Sequence, residues 1–353
     1  MNRKKLALCV PVHPADLEKI QKYCDITKAG ALLTGRYDLT EEEVYEQCKG
    51  NEIIVTENER SGAQTLKKWK DAGLKLMISA RGTPTVVDWK AVKELEIPLA
   101  YLPGRNSVAV AEYTLGLMLM LAKKMHLALY GMHDGKYPGP EKADIYDYVE
   151  KDDVNYPMDE GSPFATIGMG TELYGKTVGI LGYGAIGRKV AHLCQAFHMD
   201  VLAYDPYFSA ETMKQEGVTP CKMEEVFEQS DILSIHLPVN EETRGMIDER
   251  YLERMKPSAY LINTARAAVL SQRAIVRALQ SGWIRGAAMD VTWEEPIPKN
   301  HPLLLMDNVI ITPHMGAMTE EIEQIWTSRM ITEHILNYCT GKPITTLWTR
   351  TER

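Results

Sequence analysis

The chain has 353 residues, with 40 lysines and arginines against 48 aspartates and glutamates, which gives a formal net charge of −8. Hydrophobic residues make up 45% and charged residues 25%, as in ordinary globular proteins. The acidic surplus argues against a nucleic-acid-binding protein, which needs a basic face. No run approaches the ~18 consecutive apolar residues of a membrane span. We therefore expect neither nucleic acid nor membrane as a partner.

The first apolar run, at 6–12, is too short for a signal peptide and is soon followed by Pro14 and Asp16. It predicts a first strand instead. The six cysteines are scattered, and none has the spacing of a zinc site. We expect free thiols, no metal and a reducing, cytoplasmic location.

Strand-like and helix-like stretches alternate along the first hundred residues. Apolar runs lie at 6–12, 52–55, 74–78 and 99–102, and helix-favouring stretches lie at 16–24, 40–48 and 64–72. This rhythm predicts a parallel sheet with crossover helices. An apolar helix is predicted over 111–125, with Asn106 and Ser107 as candidate N-caps.

A second α/β series follows a stretch without periodicity, at about 133–170, that predicts a long loop or insertion. Its predicted strands lie at 177–181, 201–204, 232–237, 259–262, 286–291 and 309–312. A last amphipathic helix is predicted at about 320–338.

A glycine-rich turn follows the strand predicted at 177–181. Its residues are Gly182, Gly184, Ala185, Ile186 and Gly187. Gly182 permits a tight turn, Gly184 lets a pyrophosphate approach the backbone, and Gly187 lets helix and strand pack closely. Asp205, after the next strand, is placed to accept hydrogen bonds from ribose hydroxyls and to repel a 2′-phosphate. The pattern predicts a dinucleotide site that prefers NAD to NADP.

Charged groups and one histidine follow later strands. Ligands bind outside the carboxyl ends of strands in such sheets. Arg266 could contact a carboxylate or carbonyl oxygen, and His314 could exchange a proton with a hydroxyl if a carboxylate orients its ring. Glu294 and Glu295 are both candidates for that carboxylate, and the residues alone leave the choice open. An ion pair at Arg266 and a loop-capping role for His314 are the alternatives.

Several separated motifs resemble the D-isomer-specific 2-hydroxyacid dehydrogenase family. They lie at 81–88, 103–119, 172–187, 231–238, 262–270, 289–296 and 308–319. The resemblance implies NAD-dependent interconversion of a D-2-hydroxy acid and a 2-oxo acid. It places the catalytic trio on Arg266, Glu295 and His314. Glutamate rather than glutamine at 295 argues against a formate dehydrogenase.

The resemblance also implies further contacts. It assigns the cofactor, besides the glycine-rich turn and Asp205, to Pro238, Thr243, Thr264, Ala265, Asp290 and Gly316. It assigns the substrate to Arg81, Gly82 and Thr83, together with Arg266. The family usually has glycine where this chain has Ala267, so we expect a small local backbone adjustment there.

The fold class that the resemblance implies is α/β with two Rossmann-like domains. A flavodoxin-like substrate domain comprises 1–125 and 317–353, and a Rossmann NAD-binding domain comprises 126–316, with an acidic insertion at about 134–165. A homodimer is implied, with the helix at 111–125 near the contact.

Two questions stay open at this stage. The alternative to an enzyme is an NAD(H)-sensing binding protein of the corepressor type, since such proteins share the fold and the trio; an inorganic substrate such as phosphite is a third reading. The 2-hydroxy acid is not fixed either. Arg81 and Arg105 could bind a second anionic group of a substrate or form ordinary ion pairs.

The acidity is concentrated in one stretch. Residues 134–160 hold nine acids and three lysines, which leaves 39 acids against 37 basic residues elsewhere. This insertion is either a solvated loop or an arm beside a dimer contact. In the second case its tyrosines would anchor it: Tyr137, Tyr146, Tyr148 and Tyr156.

Overall fold

The computed structural model describes residues 3–139, 141–144, 146, 156, 159–344 and 346–348. The chain divides into two compact units, Met1–Ala109 with Ala317–Arg353, and Val110–Gly316. The strands are β1 Lys4–Leu8, β2 Cys24–Lys28, β3 Ile53–Thr56, β4 Leu76–Ser79, β5 Leu99–Tyr101, β6 Thr177–Leu181, β7 Asp200–Tyr204, β8 Thr219–Pro220, β9 Ile232–Ile235, β10 Tyr260–Asn263, β11 Gly286–Met289 and β12 Val309–Ile311.

The α-helices of the described residues follow in chain order. They are α1 Pro14–Gln21, α2 Gly30–Thr34, α3 Glu41–Cys48, α4 Ala63–Asp71, α5 Trp89–Glu94, α6 Ser107–Ala122, α7 Met125–His133, α8 Pro163–Ile167, α9 Ala185–Ala196, α10 Ala210–Gln215, α11 Met223–Gln229, α12 Glu249–Leu252, α13 Gln272–Gln280 and α14 Ser328–Thr340. Short 3₁₀ turns span Ala267–Val269 and Pro302–Leu305, and a π-helix spans Ile322–Thr327.

The first unit is built on a five-stranded parallel sheet in the order β2-β1-β3-β4-β5. The chain moves from β1 outward to β2 and then returns past β1 to β3, so the order reverses between β1 and β3. Such a switch point leaves a crevice at the carboxyl ends of the two strands, which is where open α/β sheets bind ligands.

The second unit has a seven-stranded parallel sheet in the order β12-β11-β10-β9-β6-β7-β8. Here the order reverses between β6 and β9. The two sheets confirm the predicted fold class, an α/β protein with a flavodoxin-like order in one unit and a Rossmann-like order in the other.

Both sheets are covered on both faces. In β1, Leu6 and Leu8 belong to one buried cluster, and Ala7 between them belongs to the cluster on the opposite face. The second unit likewise has two clusters, one on each side of its sheet, with Ile180 and Leu181 in different clusters. Strands buried on both faces have continuous apolar sequences, which is why these runs were visible in the sequence.

Two boundaries differ from the predictions. Strand β2 begins at Cys24, where the sequence predicted the end of a helix. The strand was missed because it lies at a sheet edge, and its mixed polar residues are mostly not buried. The units separate after Ala109, whereas the prediction placed the domain boundary after Met125. Helix α6 accounts for the difference, because Leu117, Met118 and Leu121 pack in the second unit's core.

The predicted insertion is partly described. Helix α7 enters it, and the short helix α8 is capped by Ser162, whose hydroxyl accepts from the Ala165 N–H at 3.3 Å. Tyr137 is buried, and its hydroxyl lies 2.8 Å from the Thr166 hydroxyl. Tyr146 and Tyr156 are exposed, and Tyr148 lies outside the described residues together with most of 147–158. Within the described part of the insertion, Tyr137 therefore anchors the chain inside its own unit.

Candidate active site

The glycine-rich turn lies at the switch point of the second sheet. Gly182, directly after β6, has φ +91°, and a Cβ there would lie 2.8 Å from the carbonyl oxygen of His236 at the end of β9. A Cβ at Gly187 would lie 2.1 Å from the Gly182 carbonyl oxygen. Gly182 therefore lets the turn pass close to the backbone after β9, and Gly187 lets helix α9 approach the turn closely.

Gly184 differs from these two glycines. It is the N-cap of α9, and a Cβ there would have no heavy atom within 4 Å. The chain itself does not need a glycine at this position, but a pyrophosphate at the helix N-terminus would. Ala185 and Ile186 form the first turn of α9, so their N–H groups belong to the same N-terminus. This open cradle fits a dinucleotide.

Asp205 follows β7 and is held by two backbone donors. Its Oδ2 accepts from the Tyr183 N–H at 2.8 Å, and its Oδ1 accepts from the Tyr207 N–H at 2.8 Å. Both bonds leave lone pairs on a carboxylate that can accept more than two hydrogen bonds. The acid is thus fixed beside the glycine-rich turn, as its predicted ribose contact requires.

A further contact steadies this turn and was not predicted. The side chain of Tyr183 is buried and donates a hydrogen bond to Glu216 at 2.9 Å, and Glu216 also pairs with Arg188 of α9. The Tyr183 side chain, which lies between the first two glycines of the turn, therefore packs into the unit. An aromatic residue between two glycines was the sequence signal for this contact.

Residues after β10 are fixed by the asparagine that ends the strand. Asn263 Oδ1 accepts from the Ala265 N–H at 3.0 Å, and its Nδ2 donates to the Arg266 carbonyl at 3.1 Å. The Thr264 hydroxyl lies 2.8 Å from the Thr114 hydroxyl in a buried position. Ala267 is buried in the 3₁₀ turn and has no positive φ, so alanine is accommodated there without strain.

The loop after β9 brings Pro238 and Thr243 together. The Thr243 hydroxyl donates to the Pro238 carbonyl at 2.6 Å, and the Thr243 N–H donates to Asn240 Oδ1 at 2.8 Å. The loop is closed on itself next to the carboxyl end of the sheet. The two predicted cofactor residues are therefore neighbours.

His314 and Glu295 are in direct contact. His314 Nδ1 lies 2.9 Å from Glu295 Oε2, and each side chain is 43% exposed. Glu295 Oε1 accepts from the Thr292 N–H at 3.2 Å, which fixes the carboxylate, whereas Glu294 contributes its carbonyl oxygen to Thr292. Of the two acids that the residues alone could not separate, the structure pairs Glu295 with the histidine.

The environment keeps Glu295 charged. Desolvation pushes the pKa of this carboxyl up, but the hydrogen bonds from His314 and the Thr292 N–H, with the charges of His314 and Arg266, outweigh it and hold the pKa below its ordinary value. Arg266 lies close enough to contribute to this effect. The second unit thus brings Arg266, Glu295 and His314 into one electrostatic group.

The loop that carries His314 is held by Asp290. His314 has φ +59°, an uncommon backbone conformation for a residue with a Cβ. Asp290 Oδ1 accepts from the Thr312 hydroxyl at 2.6 Å and from the Met315 N–H at 2.8 Å, and its Oδ2 accepts from the Gly316 N–H at 2.8 Å. This carboxylate is 2% exposed. It therefore stabilises the turn that presents the histidine.

Sequence reasoning assigned Asp290 and Gly316 to the cofactor and missed this contact. The available signal was the order of elements: Asp290 follows β11 and Thr312 follows β12, and these neighbouring parallel strands end at one edge of the sheet. A Cβ at Gly316 would lie 3.0 Å from Asp290 Oδ2, so the close contact also explains the glycine.

The three predicted substrate residues from the first half of the chain, Arg81, Gly82 and Thr83, lie in the first unit, just beyond β4. Arg81 Nη1 donates to Asn58 Oδ1 at 2.9 Å, and the Thr83 carbonyl accepts from the Thr85 N–H at 2.8 Å. A Cβ at Gly82 would have only the Leu102 carbonyl oxygen near it, at 3.7 Å. This short loop thus has free space on the side of Gly82. Arg266, the fourth predicted substrate residue, belongs to the second unit.

His236 directly follows β9, in the same unit as His314. Its Nε2 lies 2.9 Å from the Ser234 hydroxyl, and burial lowers the pKa of this imidazole to about 3. It stays neutral at physiological pH. Within the part of the chain that the structure describes, no group of three or more His, Cys, Asp or Glu residues could hold a metal ion.

Comparison with known proteins gives a consistent result. The family model described as the NAD-binding domain of D-isomer-specific 2-hydroxyacid dehydrogenases matches residues 115–316. D-3-phosphoglycerate dehydrogenase of Methanocaldococcus jannaschii is 32% identical over 323 residues, which are 91% of this chain and 55% of that protein. Glyoxylate reductase of Aeropyrum pernix is 35% identical over 256 residues, 72% of this chain and 70% of that protein.

A solved structure agrees over the whole length. The NAD-complexed D-isomer-specific 2-hydroxyacid dehydrogenase of Lactobacillus delbrueckii ssp. bulgaricus has a TM-score of 0.74 and 25% identity, and the match covers 97% of this chain and 99% of that one. The chain spans only 50–55% of the curated phosphoglycerate dehydrogenases that it matches. It carries the NAD-binding domain that the glycine-rich turn and Asp205 predicted, and it belongs to the D-isomer-specific 2-hydroxyacid dehydrogenase family.

Proposed function

We propose that the chain is an NAD-dependent oxidoreductase that interconverts a D-2-hydroxy acid and a 2-oxo acid. The observation that carries this proposal is the 2.9 Å contact between His314 and Glu295 in the unit that also contains the dinucleotide turn and Arg266. Hydride transfer at a carbinol carbon needs a matched proton transfer at its oxygen. A histidine oriented by a carboxylate provides that proton transfer.

In the proposed mechanism His314 uses Nε2, because its Nδ1 is occupied by Glu295. The ring accepts the hydroxyl proton when the hydroxy acid is oxidised and donates it to the carbonyl oxygen when the oxo acid is reduced. Glu295 orients the ring and stabilises its protonated form, since a carboxylate within ~4–6 Å favours the charged imidazolium.

Arg266 is proposed to polarise the substrate and to bind it. Its guanidinium polarises the C2 oxygen and contacts the substrate carboxylate, because a planar guanidinium can bind oxygen atoms in pairs. The Gly82 and Thr83 N–H groups, beside Arg81, are proposed to bind the carboxylate, and the open space at Gly82 supports that assignment.

When bound, the nicotinamide supplies the hydride acceptor or donor. The proposed holders of the dinucleotide are Gly182, Gly184, Ala185, Ile186, Gly187, Asp205, Pro238, Thr243, Thr264, Ala265, Asp290 and Gly316. Of these, Gly184 at the N-terminus of α9 is assigned to the pyrophosphate and Asp205 to the adenosine ribose. Asp290 already accepts hydrogen bonds from the His314 loop. We propose that it also contacts the cofactor.

The proposal is tested by following NADH absorbance with a panel of 2-oxo acids. The panel includes glyoxylate, pyruvate, hydroxypyruvate and its phosphate ester, and NADPH replaces NADH in parallel reactions. We expect turnover of at least one acid, with NADH preferred because Asp205 repels a 2′-phosphate. If the protein binds NADH but reduces none of the acids, the proposed oxidoreductase activity is contradicted and an NAD(H)-sensing binding protein is favoured.

We also propose that the chain forms a homodimer through the second unit. Exposed apolar side chains gather on α7 and around α8, where Leu129 is 51%, Tyr130 59% and Phe164 52% exposed. The resemblance places the contact near the helix at 111–125, most of which is α6, and α7 follows α6 along the chain. An exposed apolar patch of this kind is typical of a protein contact.

The dimer is tested by light scattering on Leu129→Glu and Leu33→Glu. Both leucines are about equally exposed, at 51% and 55%, but Leu33 lies in the first unit. We expect twice the chain mass for the wild type and for the Leu33 variant, and a shift toward the monomer for the Leu129 variant, because a buried charge weakens an apolar contact. A monomeric wild type, or a Leu129 variant that dimerises normally, would contradict the proposal.

The described helices include none long and apolar enough to cross a membrane. We propose a cytoplasmic location, and the six cysteines support it because all of them are free thiols, as in reducing compartments.

A further inference from the structure

The first unit contains a cavity of about 250 Å³ at the switch point of its own sheet. Its walls come from the segments after β1, β2, β3 and β5 and from the π-helix, and every lining residue belongs to this unit. The volume lies below the ~300–1,000 Å³ of sites for drug-sized ligands, so it admits a tail of a few atoms.

An ion pair dominates the chemistry of this cavity. Arg105 Nη2 lies 2.7 Å from Glu57 Oε1, and the two side chains are only 18% and 26% exposed. Arg105 Nη1 also donates to the Thr327 hydroxyl at 3.0 Å. Thr327 ends the π-helix, a rare element that is often found at functional sites. The guanidinium is thus held between a carboxylate and a hydroxyl.

The second acid in the wall does not compensate Arg105. Glu59 is 6% exposed, and its carboxylate accepts from the N–H groups of Ala31, Glu57 and Asn58 at 3.1, 2.9 and 3.2 Å. Its hydrogen-bonding capacity is used by the backbone. The charged side chains that line the cavity are Glu57, Glu59 and Arg105, and their formal charges add up to −1.

The cavity adjoins the loop that we assign to the substrate carboxylate. Asn58, a lining residue, accepts a hydrogen bond from Arg81 at 2.9 Å, and Gly82 and Thr83 follow Arg81 directly. A 2-oxo acid held there by its carboxylate can extend its other end toward the cavity. This step rests on the proposed function.

We propose that Glu57 is a specificity-determining residue, which neutralises Arg105 so that the cavity takes an uncharged, hydroxylated substrate end and rejects a phosphate or second carboxylate. A second anion would have to lie beside the Glu57 carboxylate or displace it from Arg105. Like charges and unpaired charges of this kind discriminate strongly between ligands. The Asn58 amide, the Thr327 hydroxyl and the remaining Glu57 oxygen serve hydroxyl groups.

The test compares wild type with Glu57→Gln on two acids that differ only in a phosphate, hydroxypyruvate and its phosphate ester. We expect the wild type to prefer the unphosphorylated acid. In Glu57→Gln the ratio of kcat/KM should shift toward the phosphate ester by at least about tenfold, because a charge-assisted hydrogen bond to Arg105 becomes available.

The matched control is Glu42→Gln, which removes the same charge from an exposed pair with Lys68 elsewhere in this unit. It should behave as the wild type does. The double variant Glu57→Gln/Arg105→Gln should lose the gained preference, which separates a local charge effect from a change in folding. A wild type that prefers the phosphate ester, or equal ratios in the Glu57 and Glu42 variants, would overturn the proposal.

A second measurement does not depend on turnover. Inorganic phosphate should raise the Tm of Glu57→Gln more than that of the wild type, Glu42→Gln or the double variant, since only the first has an uncompensated Arg105 in the cavity. If no acid is reduced but this difference is found, the proposed function fails while the role of Glu57 in excluding anions stands. No difference in Tm overturns that role.

Discussion

Replacing His314 with asparagine should lower kcat for 2-oxo acid reduction about a thousandfold, within the range that general acid–base catalysis contributes. Asparagine is the suitable replacement because it tolerates the left-handed backbone that His314 adopts, with φ +59°. The loop and its three hydrogen bonds to Asp290 are then kept, and only the proton-transferring ring is removed. Steady-state rates with saturating NADH measure the effect.

The chain offers a closely matched control in His198. This histidine of the same unit is exposed and also has a left-handed backbone, with φ +56°, so His198→Asn makes the same chemical change outside the proposed site. It should keep wild-type kcat. Both variants should bind NADH normally. Near wild-type turnover in His314→Asn would exclude the proposed mechanism.

Glu295→Gln completes the comparison. Glutamine can still accept a hydrogen bond from the ring, but it no longer supplies the negative charge that favours the imidazolium. Reduction at neutral pH should therefore fall by about tenfold or more, which is less than in His314→Asn. Steady-state rates of reduction at neutral pH, with saturating NADH, measure the loss. A variant as fast as the wild type, or as slow as His314→Asn, would contradict this role of the Glu295 charge.

Two glycines of the dinucleotide turn should respond in opposite ways to alanine. At Gly187 the new Cβ would lie 2.1 Å from a backbone oxygen, and a backbone oxygen cannot move aside as a flexible side chain can. We expect a loss of about 3 kcal/mol of unfolding free energy, as for overpacked core positions. At Gly184 no heavy atom lies within 4 Å, so stability should stay within about 0.5 kcal/mol of the wild type.

The affinity for NADH should separate the same pair. Gly184→Ala fills the cradle at the N-terminus of α9, so its Kd should rise at least about tenfold although the fold is intact. Urea denaturation and fluorescence titration give the two quantities. Wild-type affinity in Gly184→Ala would remove Gly184 from the pyrophosphate site, and wild-type stability in Gly187→Ala would contradict the close packing of α9.

Local patterns predicted much of the fold and of the cofactor site. The apolar runs revealed the buried strands, and the spacing of Gly182, Gly184, Gly187 and Asp205 revealed the turn because its elements are consecutive in the chain. Strand β2 was missed because an edge strand with polar residues lacks that apolar signal.

Contacts between distant segments were not readable from the sequence. The pairing of Arg105 with Glu57 and Thr327, and the contact of Asp290 with the His314 loop, join residues far apart in the chain. Nothing in the local spacing of these residues indicates that they meet. The choice of Glu295 over Glu294 came from the resemblance, and the residues themselves could not make it, because the two acids are adjacent and equally polar.

The Asp290 contact has a consequence for how this sequence can vary. Asparagine would offer one acceptor oxygen and present an N–H to a backbone donor, and glutamate would need room for a methylene group at a position that is 2% exposed. Neither of the most similar side chains can serve the Thr312 hydroxyl and both backbone N–H groups. Position 290 should therefore tolerate no other residue. Met315 contributes only its backbone N–H to that carboxylate, so this contact does not restrict the side chain at position 315.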